Sequence, residues 1–160
     1  MALLGTLGTL RANTAFFSGA PGWVLHADNF IVGQLGGVVE AFRRRASLGA
    51  WGSLLTFQSD DPRSCGIAEV DGFGIVTGFH EKIRDPPGAT ASAATFLFDT
   101  PVFDLAESLP SSASDIAGDL LPLLIGRLIA VPAEGRVIDI GTPEGLIAAR
   151  YEAAVLNRRP

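Results

Sequence analysis

An α/β fold, a sheet covered by helices on both faces, is what this sequence predicts, and three observations carry the prediction. Trp23-Val24-Leu25 is an apolar run without polar alternation, the pattern of a strand buried on both faces inside a helix-covered sheet. A helical repeat and then a second apolar run follow it, the order strand, helix, strand that joins parallel strands by a crossover. Nearly half of the 160 residues, 48%, are apolar and the mean hydropathy is +0.33. That is enough for one domain, residues 1–160, to bury a substantial core.

The elements follow in order. Leu7, Leu10 and Ala15-Phe16-Phe17 lie on an apolar helical stretch at the start, with no earlier element to bury it against. After the Trp23-Val24-Leu25 strand, Leu35, Val38, Val39 and Phe42 recur at helical spacing and give one buried helix face. Trp51 to Phe57 reads as the next strand, and Asp60-Asp61-Pro62 as the turn that ends it. Ile67 to Val70, Asp71-Gly72-Phe73-Gly74 and Ile75 to Phe79 form a hairpin that carries His80-Glu81-Lys82 at the end of its second strand. Thr95 to Phe98 is a strand, Pro101 to Leu109 a short helix, and Ser114 to Arg127 a helix that Pro122 must kink or confine to its first turns. Two short strands, Leu128 to Val131 and Val137 to Ile140, precede a helix opened by Thr142-Pro143-Glu144, a hydroxyl cap, a proline at the first position and an acid in the first turn. Its buried face is Leu146, Ala149, Ala153 and Leu156.

Composition removes several function classes. A net charge of -5 argues against a nucleic-acid-binding surface, which needs clustered Lys and Arg. The one basic run, Arg43-Arg44-Arg45, reads as a solvated helix end. A single cysteine, Cys65, excludes an internal disulfide and any cysteine-rich zinc site. No apolar run reaches membrane-spanning length uninterrupted, and the expected location is the cytoplasm.

Two acids stand alone at strand ends, Asp28 after Trp23-Val24-Leu25 and Asp139 within Val137-Ile138-Asp139-Ile140. The carboxyl edge of an open α/β sheet is where ligands bind. Two carboxylates meeting there repel unless a cation neutralises them, and a hard oxygen pair suits Mg²⁺, which leaves its other positions for water and phosphate oxygens. Lys82 adds a point charge suited to phosphate. Acids for a metal and a lysine for phosphate are the equipment of phosphoryl or nucleotidyl transfer. His26 and His80 read as structural, Cys65 as a packing residue and Glu69 as the outer side of a strand.

Leu4-Gly5-Thr6-Leu7-Gly8-Thr9-Leu10, His26-Ala27-Asp28-Asn29, Cys65-Gly66-Ile67-Ala68-Glu69-Val70, Phe79-His80-Glu81-Lys82 and Asp139-Ile140-Gly141-Thr142-Pro143 resemble, in this order and spacing, the sugar-1-phosphate nucleotidyltransferases, with the mannose-1-phosphate guanylyltransferase-like branch nearest in character. The resemblance implies a Rossmann-like mixed sheet with flanking helices, of the nucleotide-diphospho-sugar transferase type. It implies nucleotidyl transfer from an NTP, with GTP favoured, to a sugar 1-phosphate, releasing pyrophosphate. By the same resemblance Asp28 and Asp139 would hold Mg²⁺, Lys82 would meet the sugar phosphate, and Gly66, Glu81 and Ser92 the sugar. Gly5, Thr6 and Gly8 would pass beside the nucleotide.

Departures accompany it. The family opens with a strand and a Gly-rich, Arg-containing loop that cradles the triphosphate, and nothing like it precedes Met1, so the expectation is an N-terminally truncated form of the fold. Ser92 stands where the family has Asn, alanine stands where glycine is expected beside it, and Leu7 replaces a small residue. The alternative reading is therefore a non-catalytic, truncated or degenerate relative serving as a binding or regulatory subunit. On either reading, apolar surface left bare around Val24, Phe16 and Phe17 favours self-association into a homo-oligomer.

Overall fold

A computed structural model of the chain describes residues 3–156. It is an α/β structure. Eight strands are β1 (Gly22–Leu25), β2 (Asn29–Ile31), β3 (Gly52–Gln58), β4 (Gly66–Val70), β5 (Val76–Glu81), β6 (Thr90–Phe98), β7 (Leu128–Pro132) and β8 (Val137–Asp139). Four helices are α1 (Gly5–Ala12), α2 (Gly36–Arg43), α3 (Thr100–Ser108) and α4 (Pro143–Leu156). The main sheet runs β5-β4-β6-β3-β7, with β1 added to β6, while β2 and β8 form a separate two-stranded ribbon. β3 and β7 are parallel, and the other pairings are antiparallel.

Helices cover both faces, as alternation along the strands requires. On one face α2 buries Val38 and Phe42 against Leu55, Ala93 and Leu97. On the other, α1, α3 and the segment after it bury Leu7, Leu10, Val102, Phe103 and Leu120 against Leu54, Phe96 and Phe98. The opening helix thus finds its cover downstream, with Phe17 stacked on Phe103 at 4.1 Å and Phe16 left exposed.

Four expectations change. β1 and β3 run in the same direction, but β6 lies between them and pairs with both, because the crossover skips a place that a later strand fills. β1 is half-buried and not enclosed, with Leu25 48% exposed, since among the described residues it pairs on one edge only. Ser114 to Arg127 is not an α-helix. A π turn at Ile116–Leu120 runs into a 3-10 turn at Leu121–Leu124, as Pro122 lacks the donor a regular turn needs and the Asp119 carboxylate instead accepts from the Ser114 and Asp115 amides. In α4 Ala149 is buried while Leu146 and Leu156 stay exposed.

Arg45 is also not a solvated helix end. Its guanidinium donates to Asp99 at 2.5 Å and lies over the Phe42 ring at 3.9 Å, tying the turn after α2 to the cap of α3, where Asp99 accepts from the Thr100 amide. Burial pushes the Asp99 carboxyl up, but the Arg45 hydrogen bond, the Thr100 amide and the Arg45 charge together hold it below the ordinary value. A depressed carboxyl stabilises the fold above its unfolded pKa and loses that contribution as pH falls through the folded value. The contribution of this pair is therefore expected to fade as pH falls below about 4, and Arg45→Met, which removes it, should move the acid midpoint upward in a circular-dichroism titration. An unchanged midpoint would remove the pair from the acid response.

Candidate functional site

The two strand-end acids are brought together by the β2–β8 ribbon. Asn29 lies opposite Asp139, and the Ile140 amide donates to the Asp28 carbonyl at 2.7 Å, so Asp28 and Asp139 leave adjacent ends of neighbouring strands. Gly141 serves as a ruler: a carbon at its missing Cβ position would lie 3.0 Å from an Asp139 carboxylate oxygen and 3.8 Å from one of Asp28. Asp139 Oδ1 accepts from the Gly141 amide at 2.7 Å, which orients the carboxylate and leaves its second oxygen available. Thr142 Oγ1 accepts from the Gly145 amide and starts α4 immediately beyond.

These acids line a cleft of about 540 Å³ that also holds Gly66, Glu81, Lys82 and Ser92. The β4–β5 hairpin supplies three of them. Gly66 pairs with Glu81, and a Cβ at Gly66 would fall 2.5 Å from a Glu81 carboxylate oxygen and 2.6 Å from the Phe79 ring, so only glycine leaves Glu81 its place. Lys82 follows with φ +48, a conformation a side-chain-bearing residue rarely adopts. Its Nζ stands 3.5 Å from Glu81 Oε1, and its side chain is 65% exposed. Phe57, Phe79 and Phe96 form apolar wall.

Thr6 reaches the same cleft from α1, but its hydroxyl is already engaged, donating to Asp115 Oδ1 and accepting from the Ile116 amide, each at 2.8 Å. Asp115 also accepts from the Gly118 amide. Sequence reasoning missed Asp115 because an Asp inside an expected helix carries no signal of its own. Gly5 takes φ +69, and its missing Cβ would sit 2.2 Å from the Ser114 carbonyl oxygen. Gly8 is buried inside α1, away from the residues that line the cleft. His26 lines the cleft with its Nε2 buried and, among the described residues, without a hydrogen-bond partner. His80 pairs with Glu69 at 2.6 Å on the opposite face of the hairpin, and Cys65 Sγ lies 3.3 Å from the Ser59 hydroxyl.

Among the described residues no three His, Cys, Asp or Glu side chains gather into a ready-made cage. Two carboxylates, one with its second oxygen open, fit a cation such as Mg²⁺ that keeps several waters and takes its remaining oxygens from substrate phosphates. A groove of about 790 Å³ adjoins the cleft, with Leu4, Phe16 and Leu25 among its exposed apolar residues, beside the edge of β1 that is unpaired among the described residues. No described helix is long and apolar enough to cross a membrane.

Comparison with known proteins shows the family of the chain. The model of the family described as nucleotidyl transferase matches residues 2–154. The chain is 31% identical over 140 residues, 83% of its length and 38% of the relative's, to the low-salt glycan biosynthesis nucleotidyltransferase Agl11 of Haloferax volcanii. It is 32% identical over 85 residues, 53% of its length and 23% of the relative's, to a glucose-1-phosphate thymidylyltransferase of Streptomyces antibioticus. A crystal structure assigned as a glucose-1-phosphate thymidylyltransferase of Bacillus anthracis, with sucrose bound, superposes with a TM-score of 0.76 over 90% of this chain and 58% of that one, at 24% identity, a likeness of fold. The chain thus spans well under half the length of the curated relatives it matches.

Proposed function

We propose that this chain, which belongs to the nucleotidyl transferase family, carries the metal and sugar-phosphate side of a sugar-1-phosphate nucleotidyltransferase. The observation that supports it most is the convergence of Asp28, Asp139, Glu81 and Lys82 on one cleft from three separate stretches of sequence. In the proposed reaction a phosphate oxygen of the sugar 1-phosphate attacks the α-phosphorus of the NTP, the new O–P bond forms as the bond to the β-phosphate bridge breaks, and pyrophosphate leaves. Asp28 and Asp139 would hold Mg²⁺, which when bound neutralises charge on the reacting phosphates. Lys82 offsets the negative charge of the sugar phosphate, while Glu81 accepts from a sugar hydroxyl beside the backbone of Gly66. Ser92 would present its hydroxyl to the sugar from β6. Gly5 and Thr6, in the first turn of α1, would border the nucleotide through their backbone, since the Thr6 hydroxyl is occupied, whereas Gly8 is buried inside α1 and is left out of the proposal.

For the base, the relatives reported above include a thymidylyltransferase and no guanylyltransferase, so the proposal places dTTP beside GTP and makes glucose 1-phosphate the first acceptor. Pyrophosphate release measured with dTTP, GTP, UTP and ATP against glucose 1-phosphate and mannose 1-phosphate tests it. Sugar-phosphate binding with turnover of none of the nucleotides would leave the non-catalytic binding subunit as the better reading, and neither binding nor turnover would overturn the proposal. Copies would associate through the open edge of β1 and the apolar groove beside it, and light scattering that gives a monomer at all concentrations removes that part.

In a full-length relative, replacing the lysine equivalent to Lys82 by Met is expected to raise the apparent KM for the sugar phosphate and lower kcat, each about tenfold, because the lost charge acts in ground and transition states alike. A kinetic profile matching the wild type would remove Lys82 from the phosphate site.

A further inference from the structure

β6 is interrupted at the point where it passes the cleft. Between the pairs Leu54 with Phe96 and Thr56 with Ser92, β6 advances four residues while β3 advances two. The excess is taken up around Ala93 and Ala94, and Ala94 adopts φ +45, a conformation that a Cβ disfavours. The kink is braced from within. The Ala94 amide donates to Ser92 Oγ at 3.0 Å, and the fully buried Thr95 hydroxyl donates to the Ala93 carbonyl at 3.1 Å.

What the kink accomplishes is visible across the strand boundary. It turns two carbonyls toward the loop after β1: Ala94 O accepts from the His26 amide at 3.0 Å, and Ala93 O accepts from the Asn29 side-chain amide at 2.9 Å. These two bonds bracket Asp28, one from two residues before it and one from the residue after it. On the far side, the Asp28 carbonyl is held by the Ile140 amide at 2.7 Å. The backbone that carries the Asp28 carboxylate is therefore pinned between β6 and β8.

We infer that Asn29 is a positioning residue for Asp28, its side-chain amide fixing the loop to the Ala93 carbonyl in the kink of β6 and so setting where the Asp28 carboxylate stands relative to Asp139 and Ser92. The inference rests on the reading of Asp28 and Asp139 as the metal pair. The residue type follows from the chemistry. A donor of this reach is needed to meet a carbonyl, and Asn29 lies opposite Asp139 in register, where an acid would add a third negative charge and a lysine would compete for the carboxylates. Asparagine supplies the donor without a charge.

The test uses Mn²⁺, which stands in for Mg²⁺ and is counted directly as free ion by electron paramagnetic resonance. Titrations of the purified chain would compare wild type, Asp28→Asn, Asn29→Ala and Asn29→Leu, the last keeping side-chain volume without the amide should the alanine variant fail to fold. Amide hydrogen exchange at His26 and thermal melting would be measured on the same samples. The expected result is a 10- to 100-fold loss of Mn²⁺ affinity in both Asn29 variants, the range typical of partners that orient a metal ligand. Exchange at the His26 amide should rise at least tenfold, with the melting temperature close to wild type. Mn²⁺ affinity within twofold of wild type in the folded Asn29 variants would overturn the positioning role, and so would lost affinity without faster exchange at His26. Equal Mn²⁺ binding by wild type and Asp28→Asn, or none by either, would instead remove the metal pair itself, and the inference with it.

Discussion

In a full-length relative, substitutions equivalent to Asp28→Asn and Asp139→Asn are each expected to lower metal-dependent pyrophosphate release by about 10²–10³-fold, the loss of roughly 3–4 kcal/mol of transition-state stabilisation, with little change in folding. The folding half follows from the structure. Both residues are exposed, no hydrogen bond among the described residues engages the Asp28 carboxylate, and an asparagine at 139 still offers an oxygen to the Gly141 amide. Two like charges flanking one glycine repel when no cation is present, so removing either should leave the metal-free melting temperature unchanged or slightly raised. Wild type should gain stability when Mg²⁺ is added and the variants should not, because only a ligand bound preferentially to the native state shifts the transition. If the pair acts as a unit, the double variant will lose little more than either single one. Activity within threefold of wild type in both single variants would sink the assignment.

Gly5→Ala is expected to be strongly destabilising, because a left-handed backbone and a backbone clash coincide at that position. At φ +69 the added Cβ faces the Ser114 carbonyl oxygen at 2.2 Å, and that atom is backbone and cannot rotate away. The same carbonyl accepts from the Leu7 amide at 2.9 Å, so pushing it aside also loosens the Thr6 to Asp115 contact that closes one wall of the cleft. A left-handed residue costs about 1–2 kcal/mol and each lost hydrogen bond about 1 kcal/mol. The sum, about 3 kcal/mol, corresponds to a fall in melting temperature on the order of 10 °C for a chain of this size. Gly36→Ala is the control, since a Cβ there meets nothing within 4 Å and alanine favours a helix by up to about 1 kcal/mol. A Gly5→Ala chain that melts with Gly36→Ala would contradict the close approach.

Several positions show how far reading the sequence reaches. Gly5 was named only through the resemblance, as a neighbour of the nucleotide, and nothing local showed that the atom forbidding it a side chain belongs to Ser114, more than a hundred residues away. Ser92 was legible as a cleft residue, yet its hydroxyl also accepts from Ala94, a duty that exists only because β6 kinks. Arg45 looked like one cation in a basic run, and its partner Asp99 is as distant in sequence as the two are close in space.

The sequence by itself determined the local grammar of this protein. The face of α2, the β4–β5 hairpin, the start of α4 and the two acids at strand ends all follow from periodicity and turn chemistry, which act within a few residues. Tertiary structure alone decided which strands are neighbours and what the neighbours demand. It placed β6 between β1 and β3, broke the Ser114 to Arg127 segment around Pro122, and bent β6 at Ala94 to hold the loop of Asp28. The physical reason is that an apolar pattern specifies that a face is buried but not by what. Pairing, register and kinks are settled by contacts between residues far apart in the chain, where hydrogen bonds and close packing select one arrangement among many that the same local pattern allows.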